Sequence, residues 1–456
     1  MDNKQIQLAA NSNPDHIIGY RNNQAITLKA LCQRAYMWKT YLEKREESKF
    51  ALYVEDTLEF IAVLVAGLQA GKTFYLPSNP LPATAESLAK YVDGFIGLFP
   101  QEFSPVLLPM IGTDKSAPAV KLAVEKLKEV FVFTSGSTGE PQAIPKRINQ
   151  LITEVQILER TFGNNLHNQK LYATVSHNHI YGLLFKVFWP LYTGRPIQAE
   201  SLNWPEELAA VSEKGNFILV SSPAHLKRFA QSDLLGSVKG KITAIFSSGA
   251  PLDRDTALSI AQFLGHAPYE VYGSSETGGI AWRQRTAGNP ESWTPLKGVQ
   301  WRINQENSTL EIQSPHLYDS NWLQMADIIV PEGENRFLLK GRVDRIVKIE
   351  EKRVSLTAIE KALLASNLVK DSKVILVDMP ETKRQRSAAF VVLNAEGKRF
   401  ILGNGRLALN RFLRQKLSTA FEPVTLPKIW RYIDALPINR QGKTTYANLL
   451  ALLKQE

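Results

Sequence analysis

Two short stretches combine residue types that do chemistry. Thr134, Ser135, Gly136, Ser137, Thr138 and Gly139 interleave four hydroxyls with two glycines, directly after the apolar run Val130–Phe133. Glycine lets a ligand approach the main chain closely, and hydroxyls beside exposed backbone N–H groups suit phosphate oxygens. No G-x-x-x-x-G-K-[ST] pattern occurs here, so this is not a Walker loop. The second stretch is Tyr272-Gly273-Ser274-Ser275-Glu276-Thr277, which offers an aromatic face for a purine together with a hydroxyl and a carboxylate. His177 and His179 form an H-x-H pair with no third ligand cluster nearby, which argues against a structural zinc site. The single cysteine, Cys32, rules out an internal disulfide framework; its helical apolar surroundings predict a buried, inert thiol.

These residues need elements to hold them. The stretch LKALCQRAYMWKTYL predicts an amphipathic helix, FALYVED a strand, LEFIAVLVAGLQAG a buried helix ending near Gly71, and TFYLPSNP another strand. This alternation predicts a layered α/β domain. After the hydroxyl-rich loop, IPKRINQLITEVQILERTF predicts a helix, and LYATVSHNHIYGLLFKVFWPLYTG a strand, a turn and an apolar helix. Two strand–turn units follow, NFILVSSPAHLKRF and ITAIFSSGAPLD. Short strands over residues 285–340 predict a β-barrel-like subdomain, and residues 342–456 a smaller α/β domain. A chain of 456 residues is too long for one ordinary core. No apolar run is long enough to span a bilayer, and the N-terminus lacks a secretory signal, so a cytoplasmic protein is expected.

The two motifs, with Ser248-Gly249-Ala250-Pro251, Asp327, Gly341-Arg342-Val343-Asp344 and Gly442-Lys443 following in order, resemble the signature series of the adenylate-forming superfamily. That family includes acyl- and aryl-CoA synthetases, peptide-synthetase adenylation domains and luciferases, and the resemblance runs from about Phe50 to the C-terminus. It implies a large N-terminal domain, residues 1–341, and a small mobile C-terminal domain, 342–456, pivoting at Asp344. It implies that Thr134–Gly139 cradle the phosphates of ATP, that Gly249, Ala250 and Pro251 lie against adenine, and that Tyr272 and Gly273 flank the nucleotide. Ser275 and Glu276 would stand at the phosphates, with Glu276 holding Mg2+. Asp327 would take the ribose hydroxyls and Arg342 the ribose or phosphate. His179, Tyr181 and Gly182 match the family's H-x-x-G motif at the acyl pocket, and Lys443 matches its catalytic lysine. The implied reaction joins a carboxylic acid to ATP as an acyl-adenylate and passes it to the thiol of coenzyme A or of a carrier protein's phosphopantetheine. Phe185, Phe188 and Trp189 would suit an aromatic or medium-length acid, or be core.

Two positions depart from the family. Gln142 stands where lysine is common after the loop proline, and Glu351 replaces a glycine near the thiol entrance. They favour the rival reading, a nucleotide-binding scaffold without turnover; Glu276, Asp327, Arg342 and Lys443 oppose it. The net charge of +10 is uneven: residues 342–456 hold 22 Lys+Arg against 11 Asp+Glu. A basic C-terminal domain suits the 3′-phosphate of coenzyme A or an acidic acyl carrier protein. No nucleic-acid-binding motif accompanies the charge, so no specific nucleic-acid partner is expected.

Overall fold

The computed structural model describes residues 13–106, 129–134, 142–164, 166, 169–286, 291–349, 352–379, 384–439 and 444–453. The chain divides into two compact units. One comprises residues up to Trp301 together with Gln313–Trp322; the other comprises Arg302–Ile312, Leu323–Asn439 and the residues after 443.

The first unit is built on two sheets. In the five-stranded sheet, Gly94–Gly97, Lys49–Tyr53, Thr73–Pro77 and Glu129–Thr134 run parallel in that spatial order, and Gln142–Arg147 closes the edge antiparallel. The nine-stranded sheet has a parallel centre that includes Lys170–Ala173, Phe217–Ser221, Ile242–Ser247 and Tyr269–Ser274. Phe217–Ser221 is buried at every position, as a central parallel strand covered on both faces requires. The helix Thr57–Gln69 is buried on all sides except at its last residue. Asp56 caps it by accepting from the Glu59 N–H at 2.8 Å, and Gly71, at φ +75°, follows its end. Cys32 sits half-buried on the helix Leu28–Glu43, less enclosed than its surroundings predict.

Two elements differ from the sequence expectation: Pro223–Ala230, expected as a turn after its strand, is a helix capped by Ser222, and the helix expected to start at Ile144 starts later. Residues 142–147 form a strand, and the helix begins only at Ile148 and runs to Phe162. The strand pairs residue for residue with Glu129–Thr134, from Glu129 opposite Arg147 to Thr134 opposite Gln142. Pro145 disfavours a helical conformation at the residue before it, and it is tolerated here because this is an edge strand.

The second unit contains a four-stranded antiparallel sheet over the segment expected to be barrel-like, with Thr309–Gln313, Leu323–Pro331 and Phe337–Arg342 as consecutive strands. Next comes the ribbon Ile346–Ile349/Lys352–Ser355. A three-stranded sheet of Val369–Met379, Arg384–Leu393 and Ile429–Tyr432 packs against Leu356–Leu364 and Ala395–Leu417, around Ile359, Leu363, Val374, Val391, Leu409 and Leu413. The long helix breaks at Gly405, whose φ of 79° and ψ of 165° only glycine adopts readily. Among the described residues, no helix is long and apolar enough to cross a membrane.

Candidate active site

The hydroxyl-rich segment joins two paired strands. Thr134 ends the first strand and Gln142, its cross-strand partner, begins the second. Ser135, Gly136, Ser137, Thr138 and Gly139 lie outside the described residues, as do Glu351 and Lys443; Thr134 and Asp344 are described in backbone only. Along Gln142–Arg147 the side chains alternate, and Ile144 and Lys146 take the buried face. Lys146 is 2% exposed and donates from Nζ to the main-chain oxygen of Glu276 at 2.5 Å. Burial lowers its pKa, against the pull of the Glu154 and Glu276 charges.

Glu276 sits in the turn between the antiparallel strands Tyr269–Ser274 and Gly278–Gln284. Thr277 Oγ1 accepts from the Ser274 N–H at 2.9 Å and donates to the Gly278 oxygen at 2.7 Å. Gly278 has φ +68°, and a Cβ there would lie 2.2 Å from Glu154 Oε2. A Cβ on Gly273 would lie 1.9 Å from the Gly278 oxygen. Buried side chains satisfy both main-chain groups of Gly279. Its N–H donates to Glu154 Oε1 at 2.6 Å, and its oxygen accepts from His316 Nε2 at 2.8 Å. Burial pushes the Glu154 carboxyl up to about 7, opposed by the Gly279 N–H and Lys146, and pushes His316 down to about 4. Ser314 Oγ lies 2.9 Å from His316 Nδ1, which accepts because Nε2 carries the proton. On this braced turn Ser275 is half-buried and Glu276 is exposed, while the Tyr272 ring packs against Trp293 at 5.3 Å between centroids.

The other motifs in this unit also follow parallel strands at their carboxyl ends, where open α/β sheets bind ligands. Gly249, at φ +94°, and exposed Ala250 and Pro251 come directly after Ile242–Ser247. Ser248 Oγ donates to the Val271 oxygen at 2.8 Å and ties this turn to the strand leading to Glu276.

Beyond Lys170–Ala173 the chain reaches His177, whose ring nitrogens meet Thr57 Oγ1 at 3.2 Å and the Val54 oxygen at 2.7 Å. His177 is thus locked into the core. His179, the next histidine, stands at the start of the short helix Ile180–Gly182 without a side-chain capping bond and is half-buried. Gly182 is required sterically, since a Cβ would lie 2.0 Å from the Ser176 oxygen. The Tyr181 ring packs 4.8 Å from Phe185, and burial of its hydroxyl end raises its pKa well above the usual value. Phe185, Phe188 and Trp189 are at most 2% exposed, so these three belong to the core. The π-helical segment Leu183–Phe188 carries Lys186, fully buried, with Nζ donating to Ser201 Oγ at 2.7 Å. Burial depresses its pKa to about 7, against the pull of Asp56 and Glu200.

In the second unit, Asp327 and Arg342 are cross-strand partners joined by an ion pair of 3.1 Å. Asp327 is buried and Arg342 is half exposed, so the pair presents one guanidinium face outward.

Among the described residues, Glu276 supplies a carboxylate that takes part in no hydrogen bond or ion pair there, and no cluster of three or more His, Cys, Asp or Glu side chains could hold a metal by itself. That donor set fits Mg2+ brought with a nucleotide, since magnesium commonly binds one or two carboxylates plus phosphate and water. Lys146, Glu154 and His316 were not singled out from the sequence as functional.

A family model of AMP-binding enzymes matches residues 115–314. The chain is 28% identical over 255 residues to a 4-coumarate–CoA ligase of Cereibacter sphaeroides, covering 55% of this chain and 57% of that protein. It is 26% identical over 313 residues to the 4-coumarate–CoA ligase of Rhodobacter capsulatus, covering 68% and 73%. The matched segment therefore spans little more than half of the first relative. The fold is similar to ATP-bound MatB from Rhodopseudomonas palustris, with a TM-score of 0.78, 17% identity and 97% of both chains covered. The turns after Ile242–Ser247 and Tyr269–Ser274 stand at strand ends within this fold, and these findings together support the adenylate-forming superfamily of AMP-binding enzymes as the family of this chain.

Proposed function

We propose that the protein activates a small carboxylic acid with ATP as an acyl-adenylate, releasing pyrophosphate, and transfers the acyl group to the thiol of coenzyme A or of an acyl carrier protein, releasing AMP. The observation that carries this reading is the turn holding Ser275 and Glu276, braced by Lys146 from the strand that leaves the phosphate loop. Two anions, carboxylate and triphosphate, must meet, so the catalytic task is positioning and charge neutralisation. Thr134–Gly139 hold the β- and γ-phosphates. Gly249, Ala250, Pro251 and Tyr272 frame the adenine, and Asp327 and Arg342 serve the ribose. Glu276 would hold Mg2+, which when bound neutralises the phosphate charge. Lys443 bridges the attacking carboxylate and the α-phosphate. His179, Tyr181 and Gly182 border the acid, which is aromatic or medium-chain; the similarity to 4-coumarate–CoA ligases supports the aromatic choice. Residues 342–456 act as a lid turning at Asp344 between the two half-reactions. The basic excess of that segment supports an anionic acceptor, coenzyme A or an acidic carrier protein, in the cytoplasm.

The test is acid-dependent ATP–pyrophosphate exchange over a panel of aromatic and aliphatic acids. Lys443→Ala should lower exchange by orders of magnitude and leave thioester formation from preformed adenylate largely intact. No exchange with any acid, together with retained ATP binding, would favour the scaffold reading that Gln142 and Glu351 suggest.

A further inference from the structure

We infer that Lys146 and Glu154 are positioning residues that lock the Glu276 turn to the strand leaving the phosphate loop, and so set where the Mg2+-binding carboxylate stands. The inference rests on the reading of Glu276 as the group that meets the metal–nucleotide.

Nothing about packing alone calls for a lysine at this place. Its cross-strand neighbour Val130 and its same-face neighbour Ile144 are apolar and buried, and an ammonium is costly to enclose. The ammonium meets the main-chain oxygen of Glu276 itself, from 130 residues away in sequence. Glu154 does the matching work from the next element. It lies on the helix Ile148–Phe162, is 2% exposed, and accepts the Gly279 N–H at 2.6 Å. The middle of the turn and the strand just after it are therefore each held by one buried ionisable side chain, and the two charges offset each other. His316 completes the clamp from a third segment by donating to the Gly279 oxygen at 2.8 Å. The loop's exit at Gln142 and Lys146 lie on one paired strand, and Lys146 links that strand to the main chain of Glu276. Lys146 follows Gln142 on that strand by two side-chain repeats, within the reach of a single hairpin. A lysine inside the hairpin thus ties the strand that leaves the loop to the main chain of the residue bearing the metal carboxylate, whatever side chain stands at Gln142.

The experiment is binding of a fluorescent N-methylanthraniloyl-ATP to the full chain, in EDTA and in saturating Mg2+, which needs no turnover. The wild type should bind more tightly with Mg2+, and Glu276→Gln should abolish that enhancement. Lys146→Met should reduce the enhancement at least tenfold, with affinity in EDTA unchanged within twofold. Equal losses with and without Mg2+ would mean a packing role and overturn the inference. An intact enhancement in Lys146→Met would also overturn it, while the response of Glu276→Gln still supported the metal role. Retention of the enhancement in Glu276→Gln would sink the metal assignment and this inference together. Should Lys146→Met leave Glu154 uncompensated and fail to fold, the double variant Lys146→Met/Glu154→Leu replaces both charges with apolar groups. It should fold and still lack the enhancement; full recovery there would refute the positioning role.

Discussion

Replacing Lys186 by methionine should make the protein more stable at neutral pH, with a margin that fades as the pH rises. The ammonium is fully buried and donates to the Ser201 hydroxyl. Burial outweighs the pull of Asp56 and Glu200, so the folded protein releases this proton at about 7, whereas the ordinary lysine value is 10.5. Between those values the unfolded chain binds one proton more than the folded one. Wild-type stability therefore rises with pH by about 1.4 kcal/mol per pH unit from this group. Below about pH 7 the full penalty applies, of order 5 kcal/mol as a ceiling before local relaxation. Methionine fills similar space and carries no such slope. Urea unfolding of both proteins, followed by the fluorescence of buried Trp38 and Trp189, would be compared from about pH 7.5 to about pH 9.5. Asp56 and Glu200, whose charges act on Lys186, are present in both proteins. The advantage of the variant should shrink by about 1–3 kcal/mol across that range. A difference that stays constant with pH, or grows, would refute the assignment of a neutral, buried Lys186.

Three further outcomes are expected. Gly278→Ala forces a Cβ at φ +68° to within 2.2 Å of Glu154 Oε2, and should lower stability by about 1–3 kcal/mol in thermal unfolding and weaken nucleotide binding. Glu159→Ala removes the carboxylate that pairs with Arg195 at 2.7 Å and accepts from Trp189 Nε1 at 2.8 Å. Arg195 is buried and would lose that partner, so denaturant unfolding should show a loss of about 3–5 kcal/mol. Arg342→Ala takes a partner from the buried Asp327; stability should fall by about 1–3 kcal/mol, while calorimetry should show AMP affinity down by about tenfold.

Much of the first unit was legible because local signals agreed. The helix Thr57–Gln69 has an aspartate cap, an unbroken apolar run and a glycine just past its end, so its pattern and its boundaries point the same way. The glycines of two motifs have a steric reason in the fold, since Gly273 and Gly182 occur where a Cβ would strike main-chain oxygens. The strand Gln142–Arg147 was not, because its six residues run straight into an amphipathic helix and its identity depends on pairing with Glu129–Thr134. Missing that strand hid Lys146. Once a two-residue repeat is recognised, Ile144 and Lys146 share the buried face, but nothing local marks a lysine as enclosed. Its partner oxygen is 130 residues distant, as is the Glu154–Gly279 bond at 125, and separations of that size leave no local trace.

The hairpin beneath the phosphate loop has an electrostatic consequence. In a Walker site the loop runs into a helix, whose amino end contributes partial positive charge that no side-chain substitution removes. Here the chain leaves the loop as an edge strand, and strand dipoles nearly cancel. If the loop holds phosphate as proposed, retention then falls to its hydroxyls and backbone N–H groups and to nearby cations. Affinity should decline as each hydroxyl or cation is removed, and the share carried by side-chain charges should weaken as ionic strength rises.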